Sequence, residues 1–242
     1  MNIQLLPTFL CALTLAAVHV FTPRLTWVRA VPRSRWLSLA GGVAVAYVFM
    51  HLLPELAEHE RTLRDGAEHP GAVVYALSLA GLVTFYGMER LIRGARERMR
   101  EEQRVDRASR GVFWLHISSF AAYNLLIGYL LLHREETGWT PLLLYFTAMA
   151  LHFFTNDFGL HQDHEELYDR GGRWVLAAAV VVGWALGASI DVREIALIAL
   201  FSFLSGAVVL NVLKEELPEE RKSRFLPFLA GVAGYGALLV AI

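Results

Sequence analysis

A single cysteine, Cys11, is all the thiol chemistry this chain of 242 residues contains. That excludes an intrachain disulfide framework and a thiolate metal cluster. It leaves Cys11 as a small apolar residue in the first hydrophobic run. No basic nucleic-acid motif occurs, and a net charge of −1 gives no electrostatic reason to expect such a partner. Neither His-Glu-x-x-His nor a nucleophile elbow is present, so the common signatures of zinc proteases and serine hydrolases are missing. A basic stretch ahead of the first apolar run is missing as well, and Thr22-Pro23-Arg24 makes a poor cleavage site. That run therefore reads as a retained span, not a signal peptide.

What is abundant is apolar. Hydrophobic residues make up 55% of the chain, and the mean hydropathy is +0.42, too high for an ordinary soluble domain. A hydrocarbon core of roughly 30 Å takes about 20 apolar helical residues per crossing. Eight such segments fit with little left over, at about 5–21, 36–55, 71–91, 111–132, 141–161, 174–190, 195–213 and 225–242. The expectation is an all-α membrane protein of eight transmembrane helices forming a single domain over 1–242. A basic loop at 92–110 follows span three; the eight arginines between Arg90 and Arg110 are interleaved with Glu97, Glu101, Glu102 and Asp106. Its plain reading is a solvated helical extension with i,i+4 pairs, attracted to anionic lipid.

Loop charge sets the orientation. The segments after spans one, three, five and seven hold 18 of the 22 Lys and Arg. By the positive-inside rule these lie in the cytoplasm and both termini lie outside, as in a bacterial inner (plasma) membrane protein. One phrase occurs twice in this frame. Gly42 and His51-Leu52-Leu53-Pro54-Glu55 on span two are echoed by Gly206 and Glu215-Glu216-Leu217-Pro218-Glu219 on span seven, at a constant offset of 164. Span two runs outward and span seven inward, so the related stretches lie antiparallel, as in the inverted repeats of many transporters. Spans 1–3 would pair with spans 6–8, a 3+2+3 arrangement that leaves four and five as a central pair.

That central pair is the richest in polar groups, and ionisable residues inside a span default to functional hypotheses. Span four holds His116, Ser118, Ser119, Tyr123 and Asn124; span five holds His152, Asn156, Asp157 and His161, with His164 and Glu165 just beyond. At about 100° per residue, His152 and Asn156 share one face of span five while Asp157, His161 and His164 share another. Depth sorts them into a midplane set of Asn124, His152 and Asn156, and an inner set of His116, Asp157 and His161. His51 and Glu55, at i,i+4, stand at the outer end of span two. Imidazole, carboxylate and amide oxygen at stepped depths suit borderline divalent ions such as Zn²⁺, Mn²⁺ or Fe²⁺. Each histidine alone also has a plain reading as a hydrogen-bonded packing residue, and Asn124 one as interhelical glue. The clustering on spans four and five favours a site.

These stretches resemble the ZIP family of divalent-metal transporters. "MHLLPE" from Met50 looks like the family's second span, Phe201 to Glu219 like its seventh, and "ALHFFTNDFGL" from Ala150 like the His-x-x-x-Glu-Gly-x-x-Leu of its fifth. The resemblance implies eight spans, both termini outside, inverted outer triplets and a metal site between spans four and five. It also shows departures: Asn124 and Asn156 stand where the family has glutamates, Asp157 where it has glycine, and span six has no carboxylate. Two neutral amides in place of two carboxylates weaken divalent binding in a low-dielectric site.

The expectation is a ZIP-like transporter that moves a divalent cation, zinc first and iron or manganese after it, towards the cytoplasm. Its metal-binding candidates are His152, Asn156, Asn124, Asp157, His116, His161, His51 and Glu55. It is not expected to be an enzyme. Its partners are the cation and the lipid bilayer, with a homodimer left open and nucleic acid excluded. The alternatives are a non-transporting metal sensor or scaffold of the same fold and, behind it, an intramembrane metal-dependent hydrolase.

Overall fold

The structure, a computed structural model, describes residues 5–24, 35–65, 72–103, 110–134, 138–216 and 224–241. Among them every regular element is helical, as expected. In chain order these are α1 (Leu5–Phe21), α2 (Arg35–Tyr47), α3 (Leu53–Asp65), α4 (Val73–Gln103), α5 (Arg110–Leu130), α6 (Trp139–Leu167), α7 (Arg173–Ser189), α8 (Glu194–Glu216) and α9 (Phe225–Val240).

Proline and glycine punctuate these helices where their backbone chemistry requires it. Thr22-Pro23-Arg24 closes α1 as a short 3₁₀ turn. Pro54 has no N–H to return to the carbonyl four residues back, and just before it α2 widens into a π turn over Val48–Leu52. The rod then continues as α3, so α2, the π turn and α3 form one helical stretch. A second π turn, Tyr168–Gly172, leads into α7.

The loop expected between spans five and six is far shorter than the sequence suggests. Helix α6 breaks at one residue, His164, with φ −144° and ψ 43°, and helical structure resumes directly up to Ser189. The basic segment after span three is helical as far as Gln103, with Arg93 Nε 3.3 Å from Glu89 in an i,i+4 pair. Residues 104–109 of that segment, and the second Leu217-Pro218-Glu219, lie outside the described residues.

Among the described residues, four helical stretches are long and apolar enough to cross a membrane: Leu5–Arg24, Arg35–Arg64, His164–Ser189 and Glu194–Lys214. Helix α9 is apolar but shorter. Helices α5 and α6 carry buried His116, Asn124, His152, Asn156, Asp157, His161 and His164 and α4 ends in charges, which lowers the hydropathy of all three.

The helices divide into two compact units, each assembled from separate parts of the chain. One comprises Met1–Leu25 and Met88–Asp191, hence α1, α5, α6 and α7; the other comprises Thr26–Gly87 and Val192–Ile242. In the first unit the contacts fix relative direction. Gly172 meets Phe113 and Ile117 while Gly187 meets Tyr129 and His133, so α5 and α7 run parallel. Trp184 Nε1 donates to Thr8 Oγ1 (3.1 Å) and Arg173 reaches the Val20 carbonyl (3.5 Å), so α1 runs against α7. The Tyr145 hydroxyl donates to the Ile127 carbonyl (3.1 Å) and His164 faces His116, so α6 runs against α5. Phe113, Ile117, Phe120, Leu160, Tyr168 and Leu176 form the apolar core beneath these contacts.

Both units are tightened by paired glycines. A Cβ on Gly128 would fall on the Val180 carbonyl oxygen, and one on Gly183 would fall on that of Leu125. In the second unit Gly42 faces the Phe228 carbonyl and Gly231 that of Leu39, while Gly206 faces the Ser78 carbonyl and Gly81 that of Phe203. Small residues let helix backbones approach closely where lipid supplies no hydrophobic drive between helices. Gly42 and Gly206, the two glycines at the repeat offset, thus do the same work in their two helices.

Candidate functional site

The polar residues of α5 and α6 are brought together by a third helix. His19, near the end of α1, is 1% exposed and Asp157 on α6 is fully buried. The His19 Nδ1 atom stands 2.9 Å from Asp157 Oδ1 and 2.8 Å from Oδ2. On the other side of the ring, Nε2 lies 3.0 Å from Asn124 Nδ2 on α5. With the amide nitrogen assigned to that side, Nδ1–H donates to the carboxylate and Nε2 accepts from Asn124, which describes a neutral imidazole. The opposite amide orientation would present Oδ1 to Nε2 and go with an imidazolium. A buried carboxylate is costly unless it is hydrogen-bonded or paired, and His19 meets that requirement for Asp157.

His152 and Asn156 flank this triad on α6, at 3% and 6% exposure. The His152 ring meets Tyr123 edge-on at 5.6 Å. The Phe153 ring neighbours both imidazoles, with its centroid 4.4 Å from His19 and 6.4 Å from His152. Thr155 donates to the His152 carbonyl (2.9 Å), which ties its polar hydrogen into the helix. Asp157, assigned by the sequence to the inner set, is joined through His19 to Asn124 of the midplane set.

The rest of the inner set forms a second group around the His164 break. His116 and His164 are edge to face with centroids 6.2 Å apart, and Phe113 packs on His164 at 5.2 Å. His161 Nε2 lies 3.4 Å from Asp169 Oδ1, a pair that bridges the break. Tyr168 is fully buried beside His161; its hydroxyl is an electrostatic neighbour of Asp157 but makes no hydrogen bond of ordinary geometry.

His51 and Glu55 occupy the second unit. Their side chains are 3.7 Å apart at i,i+4, and Tyr47 stacks obliquely on His51 at 5.1 Å. Here the sequence spacing and the observed pairing agree.

Among the described residues, no three His, Cys, Asp or Glu side chains assemble into a group that could hold a metal ion. The nearest approach to a ligand set is the His19–Asp157 pair with its amide and imidazole neighbours. His19 is the residue that sequence patterning does not single out. Its signal is nevertheless present, an ionisable group within an apolar run, and its partner is 138 positions away.

No protein-family model, curated protein or solved structure matches this chain. The fold and composition define its class as a helical membrane protein with a buried carboxylate–imidazole–amide triad.

Proposed function

We propose that this protein is a ZIP-like integral membrane transporter that moves a divalent metal cation towards the cytoplasm, zinc first, with iron and manganese the other candidates. In this reading eight spans cross the membrane in a 3+2+3 inverted arrangement with both termini outside, in a bacterial inner membrane. The equivalent crossings at Gly42 and Gly206 support the repeat. The alternating directions of α1, α5, α6 and α7 support the order of crossings.

One observation carries the functional reading. A fully buried Asp157 is held by His19 and adjoined by Asn124, where three helices of one unit meet. Intramembrane carboxylates and imidazoles that face a bundle interior mark ion and proton pathways. Such a site, with its charge reduced to one carboxylate and surrounded by neutral donors, binds a cation moderately enough to let it leave again. His152 and Asn156 would complete the central set, His116 and His161 would serve the inner side, and His51 and Glu55 the outer. Uptake of zinc by metal-depleted cells expressing the protein tests this: His152→Ala should abolish the gain over control cells. Wild-type accumulation by that variant would refute the assignment.

A second reading has its own support. Asparagines at 124 and 156, and the lack of a three-ligand group among the described residues, suit a ZIP-like sensor or scaffold that binds metal without passing it. Metal binding by purified protein with no flux in proteoliposomes would select it.

A further inference from the structure

One end of the first unit gathers arginines beside exposed aromatic rings, a combination that the buried triad leaves unused. We propose that this end binds the headgroup of an anionic phospholipid of the cytoplasmic leaflet, with Arg24 and Arg173 as donors to its phosphate. The proposal goes beyond the transporter reading. It rests on the membrane orientation drawn from loop charge and on no cation site.

Contacts among four helix ends place this surface. Arg173 Nη1 reaches the Val20 carbonyl (3.5 Å), so the start of α7 sits beside the end of α1. Arg24 follows in the 3₁₀ turn that closes α1. On the other side, a Cβ on Gly171 would come within 3.2 Å of the Trp114 ring, which brings in the start of α5. The end of α6 joins them where His164 faces His116. This end of the unit thus carries Arg24, Arg110, Arg170 and Arg173. Among the described residues, the opposite end of the unit carries one arginine, Arg134, and one carboxylate, Asp191.

The arginines are not equivalent. Arg170 Nη2 is held by Glu166 at 2.8 Å, and the neighbouring Asp169 is paired with His161. Arg24 and Arg173 lie over aromatic rings instead. The guanidinium carbon of Arg24 is 5.5 Å from the Phe21 centroid, and that of Arg173 is 5.3 Å from the Trp174 centroid. Among the described residues, neither makes an ion pair with a carboxylate. A cation over a ring face is held by the ring's quadrupole, and the planar fork of a guanidinium offers its N–H donors to phosphate at its edge. Phe21, Trp114 and Trp174 are exposed, at 51%, 42% and 52%. Tryptophan settles at the headgroup level of a bilayer, which sets the adjoining arginines among the phosphates. Basic clusters at the cytoplasmic ends of membrane helices recognise anionic headgroups. A zwitterionic lipid brings the same phosphate with its charge cancelled, so preference for the anionic lipid is the signature of this site.

The test uses the full chain, purified in detergent and titrated with phosphatidylglycerol, phosphatidylcholine or inorganic phosphate, with bound lipid counted by native mass spectrometry. The wild type should retain phosphatidylglycerol in preference to phosphatidylcholine, and inorganic phosphate should not displace it. Arg24→Gln and Arg173→Gln should each weaken phosphatidylglycerol binding about fivefold, the equivalent of about 1 kcal/mol per basic residue at an anionic surface. Binding of phosphatidylcholine should stay unchanged in both. Arg170→Gln should bind as the wild type does, because Glu166 already engages that guanidinium. Arg173 also ties α7 to α1, so Arg24→Gln, at an exposed position outside that contact, decides the matter if Arg173→Gln fails to fold. Equal retention of the two lipids by the wild type, an unchanged affinity in Arg24→Gln, or an equal loss in Arg170→Gln would overturn the site. Displacement by inorganic phosphate would overturn the lipid as its ligand. Metal uptake enters none of these readouts, so failure here leaves the transporter reading standing.

Discussion

Asp157 is the residue on which the energetics of this molecule turn. Its carboxylate is fully buried, and His19 is its partner on a neighbouring helix. Removing one member of a buried pair leaves an uncompensated charge or donor and costs about 3–5 kcal/mol. His19→Ala should therefore lower unfolding stability in detergent by that amount. The double change His19→Phe with Asp157→Leu should recover most of the loss, because replacing both partners by apolar groups is often close to neutral. A denaturation series on the three proteins checks the order. Half of this pair is legible in the sequence, since Asp157 follows His152 and Asn156 in a span where carboxylates are rare. The other half is not, because helical periodicity relates residues within a helix and is silent about which distant helix will face it.

At the scale of the elements, close packing depends on glycine at a few named crossings. Gly183 leaves no room for a Cβ against the Leu125 carbonyl, whereas nothing lies within 4 Å of a Cβ on Gly87. Gly183→Ala should push α5 and α7 apart and cost about 1–3 kcal/mol as overpacking does. Gly87→Ala should be neutral or stabilise by about 0.5–1 kcal/mol through relief of glycine's entropy. Thermal midpoints of the two variants measure the contrast. Helix positions were legible because long apolar runs end at Pro23, before the arginine-rich segment or at glycine. The join between α6 and α7 was not. Charged residues between His161 and Arg173 look like a loop, but the helix spends a single residue, His164, on the break and folds the rest. The His161–Asp169 pair across that break is partly exposed on the aspartate side. Asp169→Ala should therefore change stability by no more than about 1 kcal/mol, which the same thermal measurement reads.

For the whole molecule, the proposed orientation follows from loop charge, and Cys11 makes it simple to test because it is the chain's only thiol. In a Cys11→Ala background, Asp191→Cys should react with a membrane-impermeant maleimide on intact cells, and Arg98→Cys only after lysis. Both positions are exposed. The opposite labelling pattern would invert the membrane orientation and with it the proposed direction of transport. The division into two interleaved units was not legible in the sequence. The repeat echo relates span two to span seven, but the grouping of α1 with α5, α6 and α7 depends on contacts made far apart along the chain.

The central claim is that the residues around Asp157 pass a divalent cation through the membrane. Its most direct test is zinc entry into proteoliposomes that enclose a zinc-sensitive dye, with wild type beside His152→Ala reconstituted in equal amount and with equal thermal stability. A saturable zinc-dependent signal is expected for the wild type, and its loss in the variant. A wild type that binds zinc but gives no signal above protein-free vesicles, or a variant that matches the wild type, would contradict it.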